Sequence, residues 1–529
     1  MRDFSAPTRS AAIAEHGMAA TSHPLATLAA IDVLRDGGNA VDAALAAAAM
    51  LCVVEPAMTG IGGDCFALYA DKAGMLVALN GSGRAPAKAT AEWYAERGFQ
   101  GIPSESPHAV TVPGAVDAWC QLHDNYATRD MDRLFRPAIE AAERGYRIAP
   151  RVALDWADNA ARLAGDEHAA RAMLPGGRAP AVGDRHAQPA LARTLMRIAR
   201  EGRAGFYEGP VMEDILTRLR GLGGLHEADD FAHQTADWVT PIQARYRGYD
   251  VAECPPNGQG VIALLIARIL DGYDVAALSE ADRIHLLAEA TKAAYAVRDA
   301  HLCDPAAAAV TADEMLADDR VEALRGSIRM DRAMPRADWD AQADFAAHRD
   351  TVYLCVVDRN RNAISFINSL FHAFGSCIMA PESGVMLHCR GHGFRTQIGH
   401  PNVIGPRKRP MHTIIPAMLL QGGRAVMPFG VMGGAYQATG HAHFLMQALD
   451  LGLDPQQAAE APRHFASATA LELETGISEA VAADLAARGH AITRVAKPHG
   501  GCQAIRIDHA RGVLIGGSDP RKDGCALGY

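Results

Sequence analysis

No stretch of this 529-residue sequence stays apolar long enough to cross a bilayer: the alanine-rich run from Ala43 to Val54 falls short of the roughly 20 residues a spanning helix needs. Positive charge is not in surplus either. Lys and Arg number 51 against 61 Asp and Glu, and the net charge of -10 argues against nucleic acid or an anionic membrane as partner. Met1 to Ser10 contains no apolar core of the kind a secretory leader carries, so cytoplasmic residence is the expectation. The ten cysteines lie without close pairs, many in apolar or strand-like settings such as Cys52, Cys355 and Cys377. They read as reduced, buried thiols rather than a disulfide framework, and no Cys/His spacing suggests zinc; neither metal nor cofactor is expected. Tandem repeats and low-complexity arrays are also missing. What is present is 49% hydrophobic and 21% charged residues, close to the globular average and enough for a sizeable core.

Along the chain, Leu25 to Arg35 has helical apolar spacing and stops at Gly37-Gly38, a C-cap pair. Asn39 can then cap a second helix from Ala40 to Val54, with Asp42 in its first turn. Gly60-Ile61-Gly62-Gly63-Asp64 is a glycine turn that leads into a strand, not a helix N-terminus, which argues against phosphate binding. Met75 to Leu79 reads as a strand, and residues from about Asp117 to Leu222 as mostly helical scaffold. Val261 to Leu270 and Ile284 to His301 add two helices, and Ala307 to Arg349 reads as a weakly periodic linker. The remainder alternates short strands (Ser383 to His388, Ile414 to Leu419, Ala425 to Phe429, Gln503 to Ile507, Val513 to Ile515) with helices Gln437 to Leu451, Pro455 to Ala461 and Ser478 to Arg488.

One junction stands apart. Val352 to Val357 suits a buried strand, and the polar turn Asp358-Arg359-Asn360-Arg361 leads to a second strand, Ala363 to Ile367. Thr351 sits at the mouth of that hairpin. A threonine hydroxyl is a poor nucleophile, but cutting the Asp350-Thr351 bond would free the residue's own α-amine, whose pKa near ~8 lets it take the hydroxyl proton. Read alone, Thr351 would simply begin a strand.

Other segments bear on that choice: Gly37-Gly38-Asn39-Ala40-Val41-Asp42, Gly60-Ile61-Gly62-Gly63-Asp64, Arg84-Ala85-Pro86-Ala87, Val112-Pro113-Gly114 and Pro255-Pro256-Asn257-Gly258-Gln259-Gly260. They continue in order through Asp350-Thr351, Phe374-Gly375-Ser376, Lys408-Arg409-Pro410, Gly433-Gly434 and Ser518-Asp519-Pro520-Arg521. Together they resemble the γ-glutamyltranspeptidase family of N-terminal nucleophile hydrolases over nearly the whole chain. The resemblance implies an α+β fold, a four-layer αββα sandwich, made as a precursor. Residues 1–350 would be the large segment and 351–529 the small one, intertwined in one domain as a heterodimer of the two cleaved pieces or a dimer of such pairs.

It also implies roles. Thr351 would be nucleophile and, after cleavage, base; Gly433 and Gly434 would supply oxyanion donors; Ser369 stands where the family has a hydroxyl that positions the nucleophile. The substrate-holding residues depart from the pattern. Where the family grips a γ-glutamyl amine with Asn, Gln and Asp, this chain has Phe371, Arg390 and Gly393, and none of these binds an ammonium. His412-Thr413 replaces a serine pair. The family's carboxylate-binding arginine aligns with Ser82, while Arg84, two residues on, either takes its place or forms a structural ion pair. The segment between Arg390 and Lys408 is too short for the family's lid loop. An arginine fork pairs with carboxylate, so Arg390 points to an anionic group. The reading is a self-cleaving threonine amidohydrolase for a small carboxylate-bearing amide, with oxamate, hydrolysed to oxalate and ammonia, as the specific substrate. Its rivals are a glutathione hydrolase or γ-glutamyltransferase, a glutaryl-type acylase, and an uncleaved, inactive binding protein.

Overall fold

The computed structural model describes residues 8–335 and 351–529. Two seven-stranded sheets organise them. From edge to edge the first runs Cys525–Gly528, Met18–Thr21, Val352–Val357, Ala363–Ser369, Asp64–Ala70, Leu76–Gly81 and Asp237–Val239. The second runs Ala12–Ala14, Val513–Ser518, Cys502–Asp508, Arg424–Val431, Ala417–Gln421, Tyr249–Glu253 and Ile242–Tyr246. All neighbours are antiparallel. Each sheet therefore draws strands from both sides of Thr351.

The central strand shows how the sequence assigns its faces. Side chains alternate along a strand, and here Val352, Leu354 and Val356 join an apolar cluster with the helices Pro24–Arg35 and Ala40–Val54. Tyr353, Cys355 and Val357 instead share a cluster with Met418, Leu420, Ile505 and Leu514 of the other sheet. The second sheet's opposite side, with Val251, Leu419 and Phe429, packs on the helices Gly260–Leu270, Glu280–His301 and Gln437–Leu445.

The local signals behave as physical chemistry requires. Gly37 takes a φ of 84°, and Gly38 N–H donates to Val33 O at 2.9 Å, closing the first helix. Asn39 and Asp42 form a reciprocal capping box, and every residue of Ala40–Val54 is buried. The hairpin turn is held by Asp358 Oδ1, which accepts from the N–H groups of Asn360 and Asn362. Nine cysteines are buried, Cys525 is half-buried, and all ten are free. No helix among the described residues is long and apolar enough to cross a membrane.

Two expectations are corrected. The stretch from Ala307 does not begin as a linker: Ala312–Met315 and Asp318–Ser327 are helical, the first with a Thr311/Glu314 capping box, and Met315, Leu316, Val321 and Ile328 join the apolar cluster of Gly260–Leu270. Its remainder, residues 336–349, lies outside the described residues, as does Asp350 of the expected cleavage site. Ser383 to His388 forms a ladder only at Val385–Met386. Gly384 turns at a φ of 69°, and His388 leaves the strand because its N–H donates to Gly62 O at 3.1 Å.

Candidate active site

Strand register brings the expected residues to one end of the sheets. Val352 lies opposite Asn368, so Thr351, one residue earlier, faces Ser369; Ser369 lies opposite Asp64, and Cys65 opposite Gly81, just before Ser82. In the second sheet Ala417 faces both Phe429 and Glu253. The segments entering or leaving those positions are His412-Thr413, Met432-Gly433-Gly434 and Asn257 to Gln259, and they are tied together. His412 N–H donates to Asn257 O at 2.9 Å, and Gln259 Nε2 donates to Thr413 O at 2.8 Å and Gly434 O at 3.1 Å.

Thr351 is buried, with Oγ1 3.1 Å from Ser369 Oγ. Ser369 Oγ also accepts the Phe371 N–H at 2.9 Å. A hydroxyl has one proton and two lone pairs, so Ser369 can accept from Phe371 and still donate to Thr351. Space for this is set by Gly63, since a Cβ there would stand 2.3 Å from Ser369 O. Phe371 itself has a φ of 79°, a conformation that costs a bulky residue on the order of 1–3 kcal/mol and persists only where its surroundings enforce it. That backbone lays the Phe371 ring under the Arg390 guanidinium, 4.0 Å from carbon to ring centre.

Arg390 is 1% exposed. Its Nη1 donates to Thr413 Oγ1 at 3.0 Å, and its Nε lies 3.9 Å from Asp64 Oδ2, too long for a hydrogen bond. Among the described residues Nε and Nη2 have no hydrogen-bond acceptor. Burial pulls its pKa down to about 10, with Asp64 opposing, so it remains a cation at neutral pH. Asp64 accepts Gly83 N–H at 2.9 Å on Oδ1 and His412 Nε2–H at 2.9 Å on Oδ2. Burial works against its ionisation, but His388, with Nδ1 3.5 Å away, and His412 outweigh burial and hold the carboxyl well below its usual range. His412 is pushed down to about 3 by burial and by Arg390. It is therefore neutral, and its Nδ1 accepts Ile414 N–H at 3.3 Å. The centre sets a carboxylate beside a guanidinium, and among the described residues the guanidinium keeps unused donors.

Gly433 and Gly434 have φ of 119° and 56°, conformations that exclude a side chain at little cost only for glycine. They turn the chain into a short helical turn and Gln437–Leu445. Among the described residues neither N–H donates to a protein acceptor. Both remain available to an oxyanion at the positive end of a helix.

Of the expected residues, Thr351, Ser369, Phe371, Arg390 and Thr413 form one chain of contacts, and His412 joins it through Asp64. Arg84 is placed differently: its guanidinium pairs with Asp237 at 3.0 Å and donates to Arg407 O at 3.3 Å. Of the two readings open for it, this geometry supports the structural ion pair. Ser82 is buried and its Oγ accepts from Asn257 Nδ2 at 3.0 Å. Sequence reasoning gave no role to Asp64, the carboxylate beside Arg390, or to His388, the imidazole beside Asp64. Asp64 did stand in a quoted motif, and an acidic residue closing a glycine turn before a buried strand was the available signal. Among the described residues the group able to share a metal ion is His285, Glu289 and His490, not residues around Thr351.

A buried hydroxyl pair at the mouth of a hairpin, with a glycine turn leaving the end of a strand of the second sheet, suits an amide-hydrolysing enzyme of the N-terminal nucleophile type. The γ-glutamyltranspeptidase model matches residues 26–529, and the chain belongs to that family. It is 35% identical over 524 residues to the glutathione hydrolase-like YwrD proenzyme of Bacillus subtilis, covering 97% of this chain and 98% of that one. It is 34% identical over 534 residues to the oxamate amidohydrolase proenzyme of Klebsiella pneumoniae, covering 98% and 99%. The crystal structure of a cephalosporin acylase from Bacillus halodurans superposes with a TM-score of 0.94 at 36% identity, covering all of this chain and 99% of that one.

Proposed function

We propose that the protein is a self-cleaving amidohydrolase that acts through Thr351 on a small amide bearing a carboxylate, with oxamate as the specific substrate. The observation that carries the anionic substrate is Arg390: a buried cation with Nε and Nη2 unpaired costs stability unless something else uses those donors. A carboxylate matches a guanidinium edge in two parallel hydrogen bonds. The Phe371 ring beneath the guanidinium offers a substrate ammonium no hydrogen-bond acceptor of its own, which counts against γ-glutamyl transfer.

In this reading the Asp350-Thr351 bond is cut by the protein itself, giving segments 1–350 and 351–529. The two sheets, with helices outside each, form the αββα sandwich of the family; the three apolar clusters support that layering. The new α-amine takes the Thr351 Oγ1 proton and Oγ1 attacks the amide carbon. The Gly433 and Gly434 N–H groups receive the oxyanion, and ammonia leaves with the proton. Water, deprotonated by the same amine, then opens the acyl ester and releases the dicarboxylate. Ser369 positions Oγ1, and Arg390 with Thr413 orients the substrate carboxylate.

A second reading, an acylase for larger acyl groups ending in a carboxylate, is favoured by the superposition on the cephalosporin acylase. Ammonia release from oxamate, acid release from a glutaryl amide and turnover of a γ-glutamyl anilide separate the readings. Oxamate turnover that disappears in Thr351→Ala, together with two fragments in wild type and one band in the variant on denaturing electrophoresis, is the expected result. Turnover of the glutaryl amide alone would shift the assignment to the acylase, and cleaved Thr351→Ala would remove Thr351 from the mechanism.

A further inference from the structure

Away from Thr351, three buried residues meet in a way the proposed hydrolysis does not use. His285 and Glu289 are one helical turn apart on Glu280–His301, so they share a face. His490 reaches them from the loop after Glu479–Ala487, and all three are buried. Their ligand-type atoms lie within 4.8 Å of one another. His285 Nδ1 is 2.8 Å from His490 Nε2, which is 3.9 Å from Glu289 Oε1.

We propose that His285, Glu289 and His490 form a binding site for a divalent transition-metal ion of the zinc class. Tetrahedral ligands about 2.0–2.1 Å from zinc stand about 3.3 Å apart, so the 2.8 and 3.9 Å spacings need shifts of about half an ångström, and the third pair closes from no more than 4.8 Å. Tautomers favour it. Arg329 O can only accept, at 2.8 Å from His285 Nε2, so that nitrogen carries the proton and Nδ1 presents its lone pair inward. A metal-binding imidazole is held in this way by a carbonyl on its other nitrogen. His490 needs only to move its proton from Nε2 to Nδ1, and the metal then replaces the hydrogen bond between the rings. Glu289 Oε2 is held by Met334 N–H at 2.6 Å, leaving Oε1 for the ion. The Lys292 ammonium stands 2.6 Å from Oε1, with its side chain 15% exposed, and would compete with an ion for that oxygen. Two imidazoles and a carboxylate suit zinc, cobalt or nickel and not calcium or magnesium.

Location gives the ion a structural task. Two ligands precede Thr351 and one follows it, and Arg329 and Met334, which touch the ligands, lead toward residue 335, where the described part of the large segment ends. The ion would fasten the segment that carries Arg329 and Met334 to the C-terminal part of the molecule, whether or not the bond before Thr351 is cut.

The test treats purified full-length protein with a chelator, removes it, and adds Zn2+ or Co2+ alone. Metal analysis should find one equivalent per chain, Co2+ should give visible absorption of tetrahedral strength, and Zn2+ should raise the thermal midpoint. His490→Ala should weaken binding by more than the about 10–100-fold that loss of an outer hydrogen-bond partner costs. Lys292→Ala removes only the competing cation, so it should tighten binding, by up to about fivefold; misfolding cannot imitate that gain. Substoichiometric binding in both wild type and Lys292→Ala overturns the proposal, as does unchanged affinity in His490→Ala.

Discussion

Two buried arginine–aspartate centres among the described residues are built on opposite terms. In one, Arg463 donates to Asp519, His499 O and Ala459 O, while Arg521 bridges Asp519 and Glu474. Asp519 accepts Cys502 N–H and Arg521 N–H, each at 2.9 Å. In the other, Arg390 makes one hydrogen bond and stands 3.9 Å from Asp64. Titration follows the pairing. Burial is the largest single influence on Arg463 and lowers its pKa, but Asp519, Tyr436, Glu474 and Cys502 together outweigh it, so Arg463 moves up; for Arg390 burial wins and it falls to about 10. The same two residue types at the same depth thus give a saturated clamp and an unsaturated receptor, and the count of satisfied donors distinguishes them.

The largest effect that would break this comparison is on stability. Arg463→Leu strips Asp519 of its main partner, and the expected loss is about 3–5 kcal/mol in urea unfolding. Arg390→Leu removes a cation whose donors are mostly unmet, and Asp64 keeps Gly83 N–H and His412. Its stability should change by less than about 1 kcal/mol, while kcat/KM for an anionic amide falls by roughly a hundredfold, as loss of charge-assisted hydrogen bonds requires. If Arg390→Leu were the strongly destabilised variant and kept its activity, Arg390 would be a second structural clamp.

The next effect concerns pH. His412 has a folded pKa of about 3 against an unfolded value near ~6.5. Below pH ~6.5 the unfolded chain takes a proton that the folded one refuses. The contribution of His412 is therefore complete above that pH and is lost as pH falls toward 3. His412→Gln, which retains an N–H for Asp64, should flatten the decline of unfolding free energy between pH 6.5 and 5 by up to about 1.4 kcal/mol per pH unit. The other buried histidines cancel in that difference. Parallel curves for wild type and variant would mean that His412 is protonated in the fold.

How much of this was legible in the sequence depends on how local the signal is. Gly37-Gly38, Asn39 with Asp42, and the hairpin after Thr351 act within a few residues, and they announced the elements that the structure shows. The strands Ile242–Tyr246 and Tyr249–Glu253 went unread although Ile242, Ala244 and Tyr246 alternate with the polar Gln243 and Arg245 as a half-exposed strand should; at five residues each, they are short signals. Thr351 was readable at the mouth of a hairpin, and Ser369 only through the resemblance to a family; the register that sets them opposite each other is local. The pairing of Asp64 with His412 spans 348 residues, and that of His285 with His490 spans 205. No spacing pattern can show partners that only the packing of two sheets and their helices brings together. Arg390 was visible as a departure from a family pattern, but its unpaired donors are a property of its surroundings.

The smallest expected effect tests the strained residue that links the hydroxyl pair to Arg390. Phe371 contributes a ring face to the guanidinium and a backbone N–H to Ser369. Phe371→Leu keeps an apolar side chain and the N–H, and removes the ring's negative face. A cation–π contact of this burial is worth about 0.5–2 kcal/mol, so KM for the anionic substrate should rise by roughly 3- to 30-fold as the guanidinium loses its platform. The value of kcat should hold, because the hydrogen bond from residue 371 to Ser369 survives. A fall in kcat with unchanged KM would show that the ring acts through the φ of 79° it stabilises, and hence through Ser369 and Thr351. In that case the receptor and the hydroxyl pair would be a single unit, and the contrast with the Arg463 clamp would extend from hydrogen-bond count to backbone strain.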